Sequence, residues 1–354
     1  MSGSHEKRNL IIAGLIIGAI AGFLVLAGNP GNMGFCIACF VRDTVGGLGL
    51  HRAAPVQYIR PEIIGLILGG AYVLSMIRGE HQSKGGSSPI IRFILGFFVM
   101  IGALMFLGCP IRMILRLGGG DLNALFGIAG FAGGIGFGTI FLKRGYSLQR
   151  TYALSKLESA MMPAIQVGLL VLVVTAPAFI FFSQKGPGAM HAPWLISLAA
   201  GLVVGGLSQV SRLCTVGGFR DLFLFKKSIL IFGYLAVLVG VFVVNISFGN
   251  FHLGFENQPI AHTDGLWNFL GMALAGFCSV LLGGCPLRQL IMTGEGNSDS
   301  AVTVLGLAAS AAFAHNFGLA ASGAGPTLNG QIAVGVGFVV ALIIAILNTK
   351  RANA

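Results

Sequence analysis

Ten stretches of this 354-residue chain are apolar over about the 20 residues that cross a hydrocarbon layer, and no water-soluble fold can hide so many. They cover 9–28, 61–77, 90–108, 122–142 and 164–183 in the first half, then 193–211, 228–248, 265–284, 301–320 and 331–348 in the second. Fifty-five glycines would ruin soluble helices, yet small residues are what let transmembrane helices approach closely. Only 9% of the residues are charged, so the bilayer is the expected solvent. The first window is too long for a cleavable leader, and later windows match it.

A net charge of +11 raises the question of nucleic acid, but the 22 Lys and Arg are scattered between apolar runs. They form no contiguous basic face with interleaved aromatics, which excludes that class of partner. Six cysteines sit among glycine, proline and aliphatic residues of the membrane segments, so they read as something other than a disulfide framework.

The two halves answer each other. Cys36-Ile-Ala-Cys39-Phe-Val-Arg42-Asp43 and Cys214-Thr-Val-Gly-Gly-Phe-Arg220-Asp221 both read C-x5-R-D, offset by 178. Gly108-Cys109-Pro110-Ile111-Arg112 and Gly284-Cys285-Pro286-Leu287-Arg288 are offset by 176. Two independent motifs at nearly one offset point to duplication. Five windows per copy is an odd number, so the second copy must enter the membrane from the opposite side. The expected fold is an all-α polytopic membrane protein of about ten transmembrane helices in two inverted five-helix repeats, 9–183 and 193–348.

Loop charges orient it. With the N-terminus inside, the inner segments hold Lys7 and Arg8, Arg78 and Lys84, then Lys143, Arg144, Arg150 and Lys156. Later inner segments hold Arg212, Arg220, Lys226, Lys227, Arg288, Lys350 and Arg351, while the outer loops at 249–265 and 321–330 contain no Lys or Arg. Both termini are therefore expected on the cytoplasmic side. Arg42, Arg52, Arg60, Arg112 and Arg116 fall outside, against the rule. Four glycine-punctuated stretches, 31–50, 108–117, 212–225 and 283–292, are too short to span and read as re-entrant or broken half-helices. Irregular backbone survives at membrane depth only where protein or a water-filled cavity covers it, so these segments should meet at the centre.

In Gly-Cys-Pro the proline suits the first helical position, making Cys109 and Cys285 helix N-caps. Such a cap places backbone N–H groups and the positive dipole end beside a thiol, a ready site for an anion. A neutral S–H can donate to a passing ion, whereas a thiolate would repel it and act as a nucleophile; apolar surroundings favour the neutral donor. Cys36, Cys109, Cys214 and Cys285 are accordingly the expected substrate path. Cys39, three residues after Cys36, and Cys278, seven before Cys285, have spacings that share a helical face and are further candidates. Arg42 with Asp43 and Arg220 with Asp221 serve either as binding charges or as ion pairs that let arginine reside in the membrane. Arg112 and Arg288, without an acidic neighbour, are the better attractors of an anion.

His315 and Asn316, in the ninth window, have no counterparts in the first half and are expected to make a helix-packing hydrogen bond rather than a proton relay. His51, His191, His252 and His262 lie in loops without metal-ligand spacing, and no metal or cofactor is expected. The methionines are dispersed and read as packing; with flanking arginines this makes a soft-metal path, for which thiolates would suit, unattractive.

At these motifs the chain resembles the YeeE/YedE family of sulfur-transport membrane proteins over nearly its whole length, from Asn9 to about Asn348. The resemblance implies uptake of thiosulfate or a related ion through an hourglass-shaped protein of the bacterial inner membrane, with central cysteines passing the ion along by S–H hydrogen bonds. Those roles fall on Cys36, Cys109, Cys214 and Cys285. The run Gly-Asn-Met-Gly-Phe-Cys-Ile-Ala-Cys-Phe-Val-Arg-Asp looks like the branch associated with selenium metabolism, with a cytosolic sulfur- or selenium-handling protein as a further candidate partner. Cys39 departs from a pure relay, because Cys36-x-x-Cys39 looks like a redox pair. The alternative function is therefore a membrane thiol oxidoreductase or sulfur-transferring enzyme using Cys36 and Cys39, although C-x-x-C is not repeated in the second half.

Overall fold

The computed structural model describes residues 2–349, so Lys350 and Arg351, counted in the charge reading, lie outside the described residues. The chain is an all-α, multi-pass membrane protein. Its helices are α1 (Ser2–Leu26), α2 (Ile37–Gly47), α3 (Pro61–Gly65), α4 (Leu74–Ile77), α5 (Pro89–Phe106), α6 (Pro110–Gly118), α7 (Asn123–Lys143) and α8 (Lys156–Thr175). The second half carries α9 (Trp194–Ser211), α10 (Thr215–Phe225), α11 (Leu230–Ser247), α12 (Gly265–Leu282), α13 (Pro286–Gly294), α14 (Ser298–Asn316) and α15 (Leu328–Leu347). A π-helical segment, Leu66–Val73, joins α3 to α4 without a break. Among the described residues the only strands are the two-residue β1 (Lys84–Gly85) and β2 (Tyr152–Ala153).

Nine helical stretches are long and apolar enough to span, rather than ten, among the described residues. The window at 301–320 forms α14, a 19-residue helix, but Asp299 and His315 at its two ends make it too polar to count with the others. The window at 164–183 is displaced as well, because the helix there runs from Lys156 to Thr175. Its start is fixed by Ser155, whose hydroxyl accepts from the Glu158 N–H at 3.3 Å, the first half of a capping box. Beyond Ala176 the chain docks on the 47–57 loop instead: Phe181 N–H donates to Gly47 and Ser183 N–H to Gln57, both at 2.8 Å.

Glycines set the helix pairs. α1 lies on α11, α9 on α3 and the π segment, α7 on α12, and α5 on both α14 and α12. In each pair a glycine faces a backbone carbonyl of the partner: Gly18 faces Val237, Gly201 faces Glu62, Gly134 faces Ala273, and Gly102 faces Gly271. In the apolar 18-residue window of Gly265–Gly294, the stretch containing α12 and α13, 89% of the residues are buried, against 22% in that of α8, so the former is central and the latter skirts the outside.

A Cβ on Gly102 would collide with backbone, which cannot swing away. Gly102→Ala is expected to lower stability by about 1–3 kcal/mol, the cost of overpacking. Gly335 in α15 meets open space, so Gly335→Ala should stabilise by up to about 1 kcal/mol through helix propensity. Unfolding midpoints in mild detergent check both, and equal shifts would rule out the close approach at Gly102.

Candidate functional site

Four short helices begin on cysteine. Cys36, Cys109, Cys214 and Cys285 are the N-caps of α2, α6, α10 and α13, each in extended backbone conformation. Pro110 and Pro286 occupy the first helical turn after Cys109 and Cys285, as their missing N–H allows. Cys36 and Cys214 lack that proline, and only the C-x5-R-D repeat marks them in sequence. Their sulfurs cap directly: Cys36 Sγ accepts from the Cys39 N–H and Cys214 Sγ from the Gly217 N–H, both at 3.3 Å. Each thiol thus sits where free N–H groups and the positive end of a helix dipole face it.

The sulfurs gather in two groups. Cys36 Sγ lies 2.8 Å from Cys39 Sγ and 3.9 Å from Cys109 Sγ. Cys214 Sγ lies 4.0 Å from Cys285 Sγ. All are buried. Tyr234 of α11, which no motif flagged, reaches the start of α6: its hydroxyl donates to the carbonyl of Pro110, the residue after Cys109, at 2.9 Å. Cys278 is buried in α12 and takes no part in these sulfur contacts. Its spacing of seven from Cys285 is not a helical one, because α12 ends at Leu282 and Gly283 turns the chain at φ 83°.

Charge is distributed unequally. Asp43 binds two guanidinium groups at once, Arg42 Nη2 at 2.6 Å through one oxygen and Arg60 Nη2 at 2.8 Å through the other. Arg116 pairs with Asp121 at 2.6 Å. Arg60 and Asp121 were invisible partners in the sequence, being 17 and 5 residues from the residues they bind. Arg112 is fully buried and, among the described residues, enters none of the ion pairs. It donates to the carbonyls of Leu107, Asn32 and Ile260, and its Nη1 lies 3.5 Å from Cys39 Sγ. A buried cation without a counter-ion costs several kcal/mol, and carbonyl dipoles offset only part of it. Leu107 holds its carbonyl toward Arg112 from a left-handed conformation, φ 63°, which costs a leucine about 1–2 kcal/mol.

The equivalent charges of the second half are looser. Arg220 pairs with Asp221 at 2.8 Å and both are partly exposed. Arg288, expected to be unpaired, is held by Glu295 at 3.0 Å; two turns of α13 bring them to one face. Arg212 bridges Glu80 and Glu295 at 2.9 and 3.1 Å. Hydrogen bonds from Arg78 and Gln209 hold the Glu80 carboxyl below its usual range.

Two cavities open beside these charges. One, of about 370 Å³, is lined by Glu80, Lys84, Arg212, Arg288 and Glu295. The other, of about 410 Å³, is lined by Arg42, Leu107, Ile260, His315 and Ser322 among others. Asn316 makes the expected packing bonds, donating to the Leu50 carbonyl at 2.9 Å and accepting from Arg52 N–H at 3.3 Å. No family model matches the chain, and no curated protein matches it in sequence.

Proposed function

We propose that the chain carries a small sulfur- or selenium-containing anion of thiosulfate type across the bacterial inner membrane, along Cys36, Cys109, Cys214 and Cys285, and that it belongs to the YeeE/YedE family. One observation carries this reading: two groups of buried thiols, in each of which the two repeat cysteines cap the N-termini of short helices. The helix starts attract negative charge without becoming ionised themselves, and S–H donors hold an ion weakly enough to release it. Arg112, buried without an acid, supplies the electrostatic pull on one side.

Two inverted repeats, 9–183 and 193–348, account for the packing. The contact of α1 with α11 has its counterpart in α9 with α3 and the π segment, and that of α7 with α12 in α14 with α5. The backbone bridge from Asp121 to Gly254 is likewise answered by that from Asn297 to Lys84. With both termini cytoplasmic, the Arg42 cavity faces outward and the Glu80 cavity faces a cytosolic sulfur- or selenium-handling partner.

The test is uptake of radiolabelled thiosulfate and selenite into vesicles holding the purified chain. Accumulation of at least one of them above protein-free vesicles is expected; absence of both, with the protein correctly folded, ends the transport reading. The 2.8 Å contact of Cys36 with Cys39 favours a second reading, a thiol enzyme cycling between dithiol and disulfide or persulfide. Alkylation followed by mass spectrometry separates the two. Transport predicts that both thiols stay alkylatable throughout uptake, while the enzyme predicts that they are lost in turnover.

A further inference from the structure

The cavity of about 370 Å³ carries its own competitor for any anion that enters it. Lys84, Arg212 and Arg288 bring three positive charges to its wall, and Glu80 and Glu295 bring two negative ones. Glu295 is the hub. It grips Arg288 as a fork, Oε1 accepting from Nη1 at 3.2 Å and Oε2 from Nη2 at 3.0 Å, and the same Oε1 accepts from Arg212 Nη1 at 3.1 Å. Arg212 turns its other nitrogen, Nη2, to Glu80 at 2.9 Å. Lys84 donates to the neutral side-chain oxygen of Gln82 at 3.1 Å, which leaves its charge in place. Arg288 and Glu295 are 12% and 11% exposed, so both can touch what occupies the cavity they line.

Arg288 lies in the first turn of α13, three residues after its cap Cys285, and so ties the cavity wall to the second pair of thiols. Arg112 holds the same place after Cys109, but its donors go to carbonyls and to Cys39 Sγ rather than to an acid. At the offset of 176 that separates these two motifs, the residue standing where Glu295 stands is Gly119, which has no side chain to offer. The two arginines therefore differ by a carboxylate supplied to one of them. An arginine left to carbonyl dipoles holds an anion, whereas one with a carboxylate tethered 3.0 Å away hands it on.

We infer that Glu295 is a release residue: a tethered carboxylate that takes Arg288 and Arg212 back from the passing oxyanion and frees it into the cavity. The inference deepens the transport reading and rests on it. A carboxylate and an oxyanion of thiosulfate type both offer paired oxygens to a guanidinium, so they compete for one fork. Glu295 follows Arg288 by seven residues at the end of the same helix, which gives it an effective concentration of about millimolar or more at that fork. It therefore outcompetes an ion that can leave into a more dilute solution. Two negative charges on neighbouring acceptors also repel at close range, so an ion that has lost the fork is pushed out.

The test measures thiosulfate and selenite on one preparation in two ways, by calorimetric titration in detergent and by initial uptake into vesicles over a range of ion concentrations. Glu295→Gln keeps the length of the side chain and removes its charge. It should tighten binding about tenfold and lower the maximal uptake rate by about the same factor, because the ion now leaves slowly. Glu295→Asp keeps the charge and should stay within about threefold of the native protein in both. A residue that merely held the fold together would lose affinity and rate together, so the opposite signs separate the two roles. Glu158→Gln is the comparison: it removes one charge from an exposed glutamate of α8 that lines neither cavity, and should change neither quantity. With native uptake intact, four results would each overturn the inference and leave the transport reading standing. They are unchanged or weaker binding in Glu295→Gln, tighter binding with an undiminished maximal rate, the same change in Glu295→Asp as in Glu295→Gln, or an equal gain in Glu158→Gln. Tighter binding by Glu295→Gln in a protein that takes up neither ion would keep the competition for Arg288 and remove the transport reading instead. No binding or uptake of either ion by any of these proteins would end both.

Discussion

Serine in place of Cys109 or Cys285 should cut uptake by about 10- to 100-fold while leaving the protein at least as stable as before. The two effects have opposite signs for one reason. A serine hydroxyl is a better N-cap than a thiol and would turn inward to accept the second or third N–H of α6 or α13, stabilising the helix start by about 0.5–1 kcal/mol. Neither sulfur makes such a cap bond in the native protein, so both are free to donate into the path. Withdrawing that donor removes a hydrogen bond to an ion at its least solvated position, worth about 1.5–3 kcal/mol and hence that range in rate. Cys278→Ala is the internal comparison, since Cys278 lies outside both sulfur groups. Uptake by vesicles and unfolding midpoints in detergent are measured on the same preparations. Full uptake by both serine variants, or a loss in Cys278→Ala as large as theirs, would remove the cysteine path.

The spans were readable because the bilayer imposes length and apolarity together, and most windows fell within a few residues of a helix. Where the reading slipped, a local signal had been outvoted by hydropathy. Ser155 and Glu158 mark the start of α8, yet the apolar run continues past its end through Phe181 and Phe182, which dock on a loop. α14 was counted by its apolar centre and fell short by its ends. Gly-Cys-Pro showed two of the four cysteine caps because proline has a fixed place in a helix; the other two depend on a sulfur accepting a backbone N–H, for which sequence holds no rule.

Charges were the least legible part, because their partners are chosen in space. Arg288 looked free until the turns of α13 delivered Glu295, and Arg42 with Asp43 looked complete until Arg60 arrived from the start of α3. Tyr234 could not be found at all, since a lone tyrosine in an apolar run has many reasons to be there. Arg112 is the exception: no acid neighbours it in sequence, and among the described residues none pairs with it in the folded chain.

The two Arg-Asp motifs, identical in sequence, should therefore respond very differently to the same change. Asp43→Asn keeps the shape of the side chain and strips the charge from a group that is fully buried between Arg42 and Arg60. Two guanidinium ions would then share a buried site with no carboxylate, and breaking a buried pair in this way costs about 3–5 kcal/mol. Asp221→Asn breaks a pair in which Arg220 is 32% and Asp221 24% exposed. Water and salt already screen that interaction, so its loss should cost at most about 1 kcal/mol. The comparison needs only unfolding midpoints of the two variants in one detergent at one ionic strength. If Asp43→Asn proved as mild as Asp221→Asn, the Asp43 site would have to be hydrated rather than sealed. A large loss in Asp43→Asn alone means that the first motif is sealed from water while its copy is not, so the duplicated Arg-Asp pair has taken a structural part in one half that it lacks in the other.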